Sequence, residues 1–219
     1  VEGGRAVRVR AEGRAVSGRE RWLQERRTGI GGSDVAAMLG LSPWKTPLAL
    51  YLEKRGEADA EQPDNEAMAW GRRLEPIVRQ AYADATGHEV RVLSDMVRHP
   101  TREFMLANLD GFVIPASGAP KRVFEAKTAR TAQGWGEPGS DEIPQQYLLQ
   151  VQHYLAVTGF VVADVAVLIG GSDFRVYEVP EDVELHSMLF DAEAEFWDRV
   201  KRGDPPEPGT QADAIARWG

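Results

Sequence analysis

The stretch Glu66–Thr86 sets Met68, Leu74, Ile77, Val78, Ala81, Tyr82 and Ala85 at helical spacing, and Gly87 follows as a stop. A helix with such a stripe must lay it on another layer of structure, and the rest of the chain supplies a sheet. Short apolar runs bounded by turn residues predict strands over Glu89–Leu93, Met96–His99 (a continuation or a second strand), Phe104–Leu109, Phe112–Ile114, Lys121–Lys127 and Ala163–Ile169, with Arg175–Val179 at an edge. A Gly/Pro-rich loop covers 130–144, and helices are predicted over Tyr147–Thr158 and Leu185–Arg202. The pattern is that of one α/β domain, a mixed sheet of about five strands with helices on both faces.

The N-terminal part reads as small helices between glycine turns. Arg19–Arg27 carries Trp22 and Leu23, and the chain turns through Gly29–Gly32. Ser33 is the expected cap of a helix Asp34–Leu39 stopped by Gly40, and Ser42-Pro43 leads towards another over Pro47–Arg55. Pro76 predicts a break or restart inside the long helix, which would let Glu75 face the sheet end. Residues 1–18, rich in Gly and Arg, are expected to form a loose tail, 19–203 the domain, and 204–219 an extended Pro-rich tail. No repeat is visible.

Composition removes several kinds of chemistry. The 219 residues include no cysteine, which excludes disulfides, Cys-ligated zinc, iron–sulfur clusters and thiol nucleophiles. No apolar run reaches the roughly 18–20 residues of a membrane span, and the N-terminus lacks the apolar core of a secretory signal, so no membrane partner and a cytoplasmic location are expected. The net charge of −8 argues against a nucleic-acid partner, but it is uneven: residues 1–30 hold eight arginines and four glutamates, a balance of +4, leaving −12 elsewhere. The Arg-rich stretch 5–21 could meet DNA phosphates.

Asp110 is followed, after 14 residues, by Glu125-Ala126-Lys127. In a strand Glu125 and Lys127 point to one face, Phe124 and Ala126 to the other. A carboxylate and an ammonium side by side suit the wall of a cleft, and Asp110 reaches the same spot if its strand forms a hairpin with theirs. Carboxylates of this kind bind Mg²⁺, which prefers oxygen ligands and keeps several waters, and bound metal activates a water and polarises a phosphate. Lys127 can position or deprotonate that water and offset charge on the transition state. The plain alternative is a hairpin with a surface salt bridge.

Further segments carry a resemblance. Arg27-Thr28-Gly29-Ile30-Gly31-Gly32-Ser33-Asp34 and Leu39-Gly40-Leu41-Ser42-Pro43-Trp44 resemble the opening motif of the YqaJ-type viral recombinase family, relatives of phage lambda exonuclease. Gly71-Arg72-Arg73-Leu74-Glu75-Pro76 resembles the next block. Asn108-Leu109-Asp110-Gly111 and Phe124-Glu125-Ala126-Lys127 resemble the PD-(D/E)xK nuclease core, and Gln150-Val151-Gln152-His153-Tyr154-Leu155 the late helix. Leu109 stands where the superfamily name has Pro, Asn108 where a hydroxyl residue is expected, and the Arg27-to-Ser33 spacing is one residue short.

The resemblance implies a restriction-endonuclease-like core, with a mixed central β-sheet flanked by helices, and metal-dependent 5′→3′ digestion of linear double-stranded DNA. It implies Glu75, Asp110, Glu125 and the backbone of Ala126 as ligands of Mg²⁺ (Mn²⁺ as substitute), Lys127 and Gln150 as catalytic partners, and Arg27 and Ser33 as the 5′-phosphate pocket. Asn108 and Trp44 join the DNA-contacting set. Duplex DNA ends, a single-strand annealing protein and a homotrimeric ring are the implied partners and assembly, in phage or prophage recombination. An endonuclease of the same fold and an inactive DNA-end binder are the alternatives. Trp22 and Trp135 are further stacking candidates, Trp70 is expected in the core, and His153 and His99 are expected as hydrogen-bonded residues rather than ligands.

Overall fold

Among the described residues of this computed structural model, 18–58, 65–93, 95–115 and 121–218, the chain opens with α1 (Gly18–Arg26), β1 (Ile30–Gly31) and α2 (Gly32–Met38). Helices α3 (Pro47–Arg55) and α4 (Glu66–Thr86) follow, then β2 (Glu89–Arg91), β3 (Val97–Arg98), β4 (Met105–Ala107), β5 (Gly111–Ile114) and β6 (Arg122–Ala129). The remainder is α5 (Gln145–Thr158), β7 (Val162–Ile169), β8 (Asp173–Pro180), α6 (Val183–Arg202) and α7 (Gln211–Trp218).

The main sheet runs β2-β5-β6-β7-β8. Strands β6 and β7 are parallel, a pairing that needs a crossover, and α5 supplies it; the other pairs are antiparallel. Helix α4 covers one face, where Val78 and Tyr82 pack on Val113, Phe124 and Ala166, with the Tyr82 and Phe124 rings 5.0 Å apart. The other face sets Val123, Val165 and Val167 against Val151 and Leu155 of α5. Alternation along β6 therefore sends Phe124 to the α4 side and puts Glu125 and Lys127 on the side of Val123. Beyond α5, residues of α2, α3 and α6 form an outer apolar layer that includes Val35, Leu48, Leu50 and Leu189.

A second, smaller sheet has the order β1-β4-β3. The pattern of apolar residues does not reveal it, because strands of two or three residues hold too few positions to show alternation. The run expected as a plain turn, Gly29–Gly32, contains β1, and Met96–His99 yields β3, which joins β4 rather than continuing β2. Gly29 is required here: a Cβ would lie 2.2 Å from the Phe104 carbonyl oxygen.

Four other expectations need correction. Helix α2 starts at Gly32 with Gly31 as its cap residue, so Ser33 is not the cap; instead the Asp34 carboxylate accepts the Gly31 N–H at 3.0 Å. Pro76 sits inside an unbroken α4, whose anchoring through Val78 and Tyr82 offsets the missing N–H. Trp70 is 54% exposed, with the Arg73 guanidinium 5.2 Å from its ring. The buried residues of α4 are Val78 and Tyr82 in its C-terminal half, and the turns bearing Trp70 stand clear of the core. Finally, the C-terminal segment forms α7, and its buried Asp213 accepts a hydrogen bond from Thr46 Oγ1 at 2.7 Å. The expected loose tail over 1–18 lies outside the described residues apart from Gly18, which begins α1.

Candidate active site

Gly111 pairs with Phe124 across β5 and β6, so Asp110, one residue before β5, is delivered beside Glu125. Its Oδ2 accepts the Ala126 N–H at 2.9 Å. Glu125 is buried, at 2% exposure; its Oε1 accepts from Lys127 Nζ at 2.5 Å and from Gln150 Nε2 at 2.7 Å. Gln150 Oε1 in turn accepts from Lys127 at 3.1 Å. The other Glu125 oxygen, Oε2, is buried with no hydrogen-bond partner among the described residues. Glu75, on α4, meets Arg79 one turn on at 3.4 Å.

These groups disturb one another's protonation. Burial, reinforced by Asp110, pushes the Glu125 carboxyl up to about 8 against the opposing pull of Lys127. Burial also raises Asp110, and raises Glu75 together with the Asp110 charge. Burial alone would lower Lys127, but Glu125 and Asp110 outweigh it and hold the amine as an ammonium above its ordinary pKa. Of the two roles open to this side chain, holding charge and positioning suit an ammonium, whereas taking a proton does not.

Two cavities share Asp110 and Glu125. One, of about 250 Å³, is walled by Trp22, Arg26, Ser33, Asn108, Gln150 and Tyr154 among others. The second, of about 350 Å³, opens towards Met68, Arg72, Glu75, Lys127, Thr128 and Tyr147. Among the described residues no three His, Asp or Glu side chains stand close enough to enclose a metal ion as they are. The donor chemistry nevertheless fits a hard divalent cation: Glu75, Asp110 and Glu125 line one cavity, all three carboxyls are raised above their ordinary pKa, and Glu125 Oε2 is buried without a donor among the described residues. Glu75, Asp110 and Glu125 are the residues that could hold it.

The structure brings Asp110, Glu125, Ala126, Lys127, Gln150 and Glu75 to one place, with Ser33 and Asn108 in the first cavity. It does not line either cavity with Arg27 or Trp44. Arg27 Nε is buried without a partner among the described residues, and Trp44 is 62% exposed. Trp135, a stacking candidate, is buried against Tyr147 and Tyr177. His153 and His99 are hydrogen-bonded, His99 Nδ1 accepting from the Thr101 and Arg102 backbone.

Sequence reasoning missed Arg26, Tyr154 and the support beneath them. Tyr154 accepts from Gln150 Nε2 at 3.0 Å and donates to the Asn108 carbonyl at 3.0 Å. Its place four residues after Gln150, on the same helical face, is a signal that could have found it. Arg26 donates to Asp34 at 2.8 Å, and the fully buried Lys54 ammonium donates to Asp34 at 2.7 Å and to the Arg26 carbonyl at 2.8 Å. Burial would raise the Asp34 carboxyl, but Lys54 and Arg26 hold it well below the usual carboxylate range. No local spacing announces this cluster, which joins three separate segments.

Gly32 lets α2 approach α5 at this wall. A Cβ there would lie 2.5 Å from Tyr154 Cε1 and 3.0 Å from the Gln150 carbonyl oxygen. Gly32→Ala is expected to cost about 1–3 kcal/mol through overpacking, read as a lower melting temperature. An unchanged melting curve would show that α5 yields freely.

Residues 21–161 match the YqaJ-like viral recombinase domain family. A protein of Bacillus subtilis (strain 168) described as uncharacterized protein YqaJ is 43% identical over 191 residues. The match covers 86% of this chain and 58% of that protein, so the chain spans little more than half its relative's length. Among solved structures, an alkaline exonuclease from Laribacter hongkongensis superposes with a TM-score of 0.67 at 20% identity, over 84% of this chain and 94% of that one. Its complex with dAMP gives 0.66 at 21% identity, with the same shares covered. A phage-related exonuclease from Haemophilus somnus 129PT gives 0.55 at 10% identity, over 80% of this chain and 96% of that one. At such identities the likeness is one of fold, and the mixed sheet flanked by helices is of the restriction-endonuclease-like kind.

Proposed function

Since the chain belongs to the YqaJ-like viral recombinase domain family, we propose that it is a metal-dependent deoxyribonuclease that digests linear duplex DNA from its 5′ ends and leaves 3′ single-stranded tails. The observation that carries this reading is the buried Glu125, with one oxygen bonded to Lys127 and Gln150 and the other without a partner among the described residues, beside Asp110. A catalytic carboxylate cluster is costly to bury without a purpose, since burial disfavours its charge.

Glu75, Asp110, Glu125 and the Ala126 backbone hold Mg²⁺, with Mn²⁺ as a substitute. Held there, such an ion would supply a Lewis acid for the scissile phosphate and a water of lowered pKa. The Lys127 ammonium, fixed between Glu125 and Gln150, offsets charge developing on the phosphate oxygens. Gln150 orients both Lys127 and Glu125. Ser33 and Asn108, with Arg26 rather than the expected Arg27 in the same cavity, take the 5′-phosphate, an anion that an arginine fork suits. Trp44, exposed beyond the cavities, stacks on bases outside them. The setting is phage or prophage recombination in a bacterial cytoplasm, with a single-strand annealing protein receiving the tails and three copies forming a ring. No helix among the described residues is long and apolar enough to cross a membrane.

The test is end-labelled linear duplex, with and without 5′-phosphate, beside a covalently closed circle, in Mg²⁺, Mn²⁺ and EDTA. Expected are loss of linear duplex from 5′ ends, an intact circle, faster digestion of phosphorylated ends and no reaction in EDTA. Cutting of the circle makes the enzyme an endonuclease, indifference to the 5′-phosphate removes the proposed pocket, and cleavage in EDTA discards the metal reading.

A further inference from the structure

Two consecutive residues of α5 grip two alternate carbonyls of the segment that ends in Asp110. His153 Nε2 lies 2.9 Å from the Leu106 carbonyl oxygen in β4, and Tyr154 Oη donates to the Asn108 carbonyl at 3.0 Å. Asp110 follows two residues later. On its far side His153 Nδ1 faces Glu193 Oε1 of α6 at 2.8 Å, and both side chains are fully buried.

Hydrogen-bond chemistry defines this pair closely. A carbonyl oxygen only accepts, so His153 Nε2 carries a proton, and the other ring nitrogen shares its hydrogen bond with Glu193 Oε1. Burial would lower the imidazole's pKa, but Glu193 and the Leu106 carbonyl outweigh it and raise it, with Asp34 of α2 adding to the effect. The other titratable groups that feel this charge are His99 and His186, which are both pushed down, chiefly by burial. A buried histidine–carboxylate pair is an expensive filling for a core, and its cost is visible here in Glu193 Oε2, buried with no hydrogen-bond partner among the described residues. Apolar side chains would fill the space without direction, whereas a hydrogen bond to one carbonyl sets where β4 stands along α5.

We propose that the His153–Glu193 pair is a positioning device for the acidic site, tying β4, and through it Asp110, to the helix that carries Gln150. The inference rests on the metal-dependent reading above. Neither residue faces the cavities that share Asp110 and Glu125, so both act through others: His153 holds Leu106, beside Tyr154, which holds Asn108, and Glu193 holds the imidazole from its far side.

The experiment compares wild type with His153→Leu, His153→Gln and Glu193→Gln by Mn²⁺ titration calorimetry, single-turnover cleavage and ¹⁵N NMR of the imidazoles. Groups hydrogen-bonded directly to metal ligands are worth about 10- to 100-fold in affinity or activity. His153 acts one step further out, through Leu106, so a loss at the lower end, about 10-fold in Mn²⁺ affinity and kcat, is expected for His153→Leu, with KM for DNA ends unchanged. His153→Gln, which can still donate to Leu106, should recover most of the loss, a rescue that simple core filling does not provide. In wild type at pH 7 both His153 nitrogens should appear protonated. Where His153→Leu does not fold, Glu193→Gln carries the test, with weaker Mn²⁺ binding and one ring proton lost. Wild-type Mn²⁺ affinity and kcat in folded His153→Leu or in Glu193→Gln, or a singly protonated wild-type imidazole, overturns the inference while leaving the nuclease reading intact. Wild type that neither binds Mn²⁺ nor cleaves DNA overturns both.

Discussion

Glu125→Gln is expected to abolish cleavage and, in EDTA, to make the protein more stable than wild type at pH 8 but not at pH 5. Both halves follow from one buried carboxyl. In the folded chain it titrates at about 8 against an ordinary 4.5, because burial and Asp110 disfavour its charge. Between those values the folded state holds a proton that the unfolded state has released, so stability falls as pH rises through the window. The swing is on the order of a few kcal/mol, or several degrees in melting temperature for a chain of this size. Glutamine imitates the protonated form and removes the dependence. It also removes a charge on which the proposed metal binding relies, and a loss of at least about 10²–10³-fold in rate is expected. Melting curves in EDTA from pH 5 to 8.5, beside single-turnover digestion, check both. A mutant that melts with the wild-type pH profile, or that digests DNA at a comparable rate, removes Glu125 from its assigned place.

Lys127→Met should slow the chemical step by about 10²–10³-fold while leaving DNA-end binding within a few-fold. Methionine keeps the length and apolar stem but not the ammonium that lies 2.5 Å from Glu125 and 3.1 Å from Gln150. The metal-free protein should also lose stability at alkaline pH, because Glu125 and Asp110 lose the cation that opposes their raised pKa values. Lys127→Arg is not expected to restore the rate, since a planar guanidinium cannot take the place of a compact ammonium between two oxygens. Rapid-quench measurements with excess enzyme isolate this step. A burst as fast as wild type in Lys127→Met would leave the lysine a structural partner of Glu125 and nothing more.

Much of this arrangement is legible along the chain because its determinants are local. Glu125 and Lys127 share a face because a strand repeats every two residues, and α4 has the bounds its apolar spacing predicts, with Asn65 capping one end and left-handed Gly87 closing the other. What escaped has non-local causes. Strand β1, and the pairing of β3 and β4 with it in a second sheet, exist because partners meet them, and α7 survives its Pro-rich approach because Asp213 docks on Thr46. Trp70 defeats expectation because its side chain is apolar, which says nothing about whether a layer lies over it.

Most of the elements, the alternation along β6 and the acid-rich motif are legible in the chain alone, since each depends on backbone periodicity within a short window. Packing in three dimensions puts Arg26 rather than Arg27 at the cavity, sets Lys54 beneath Asp34, and lets His153 and Tyr154 hold the strand before Asp110. Those contacts join residues tens of positions apart, and their geometry comes from how helices and sheet pack, which no local pattern encodes.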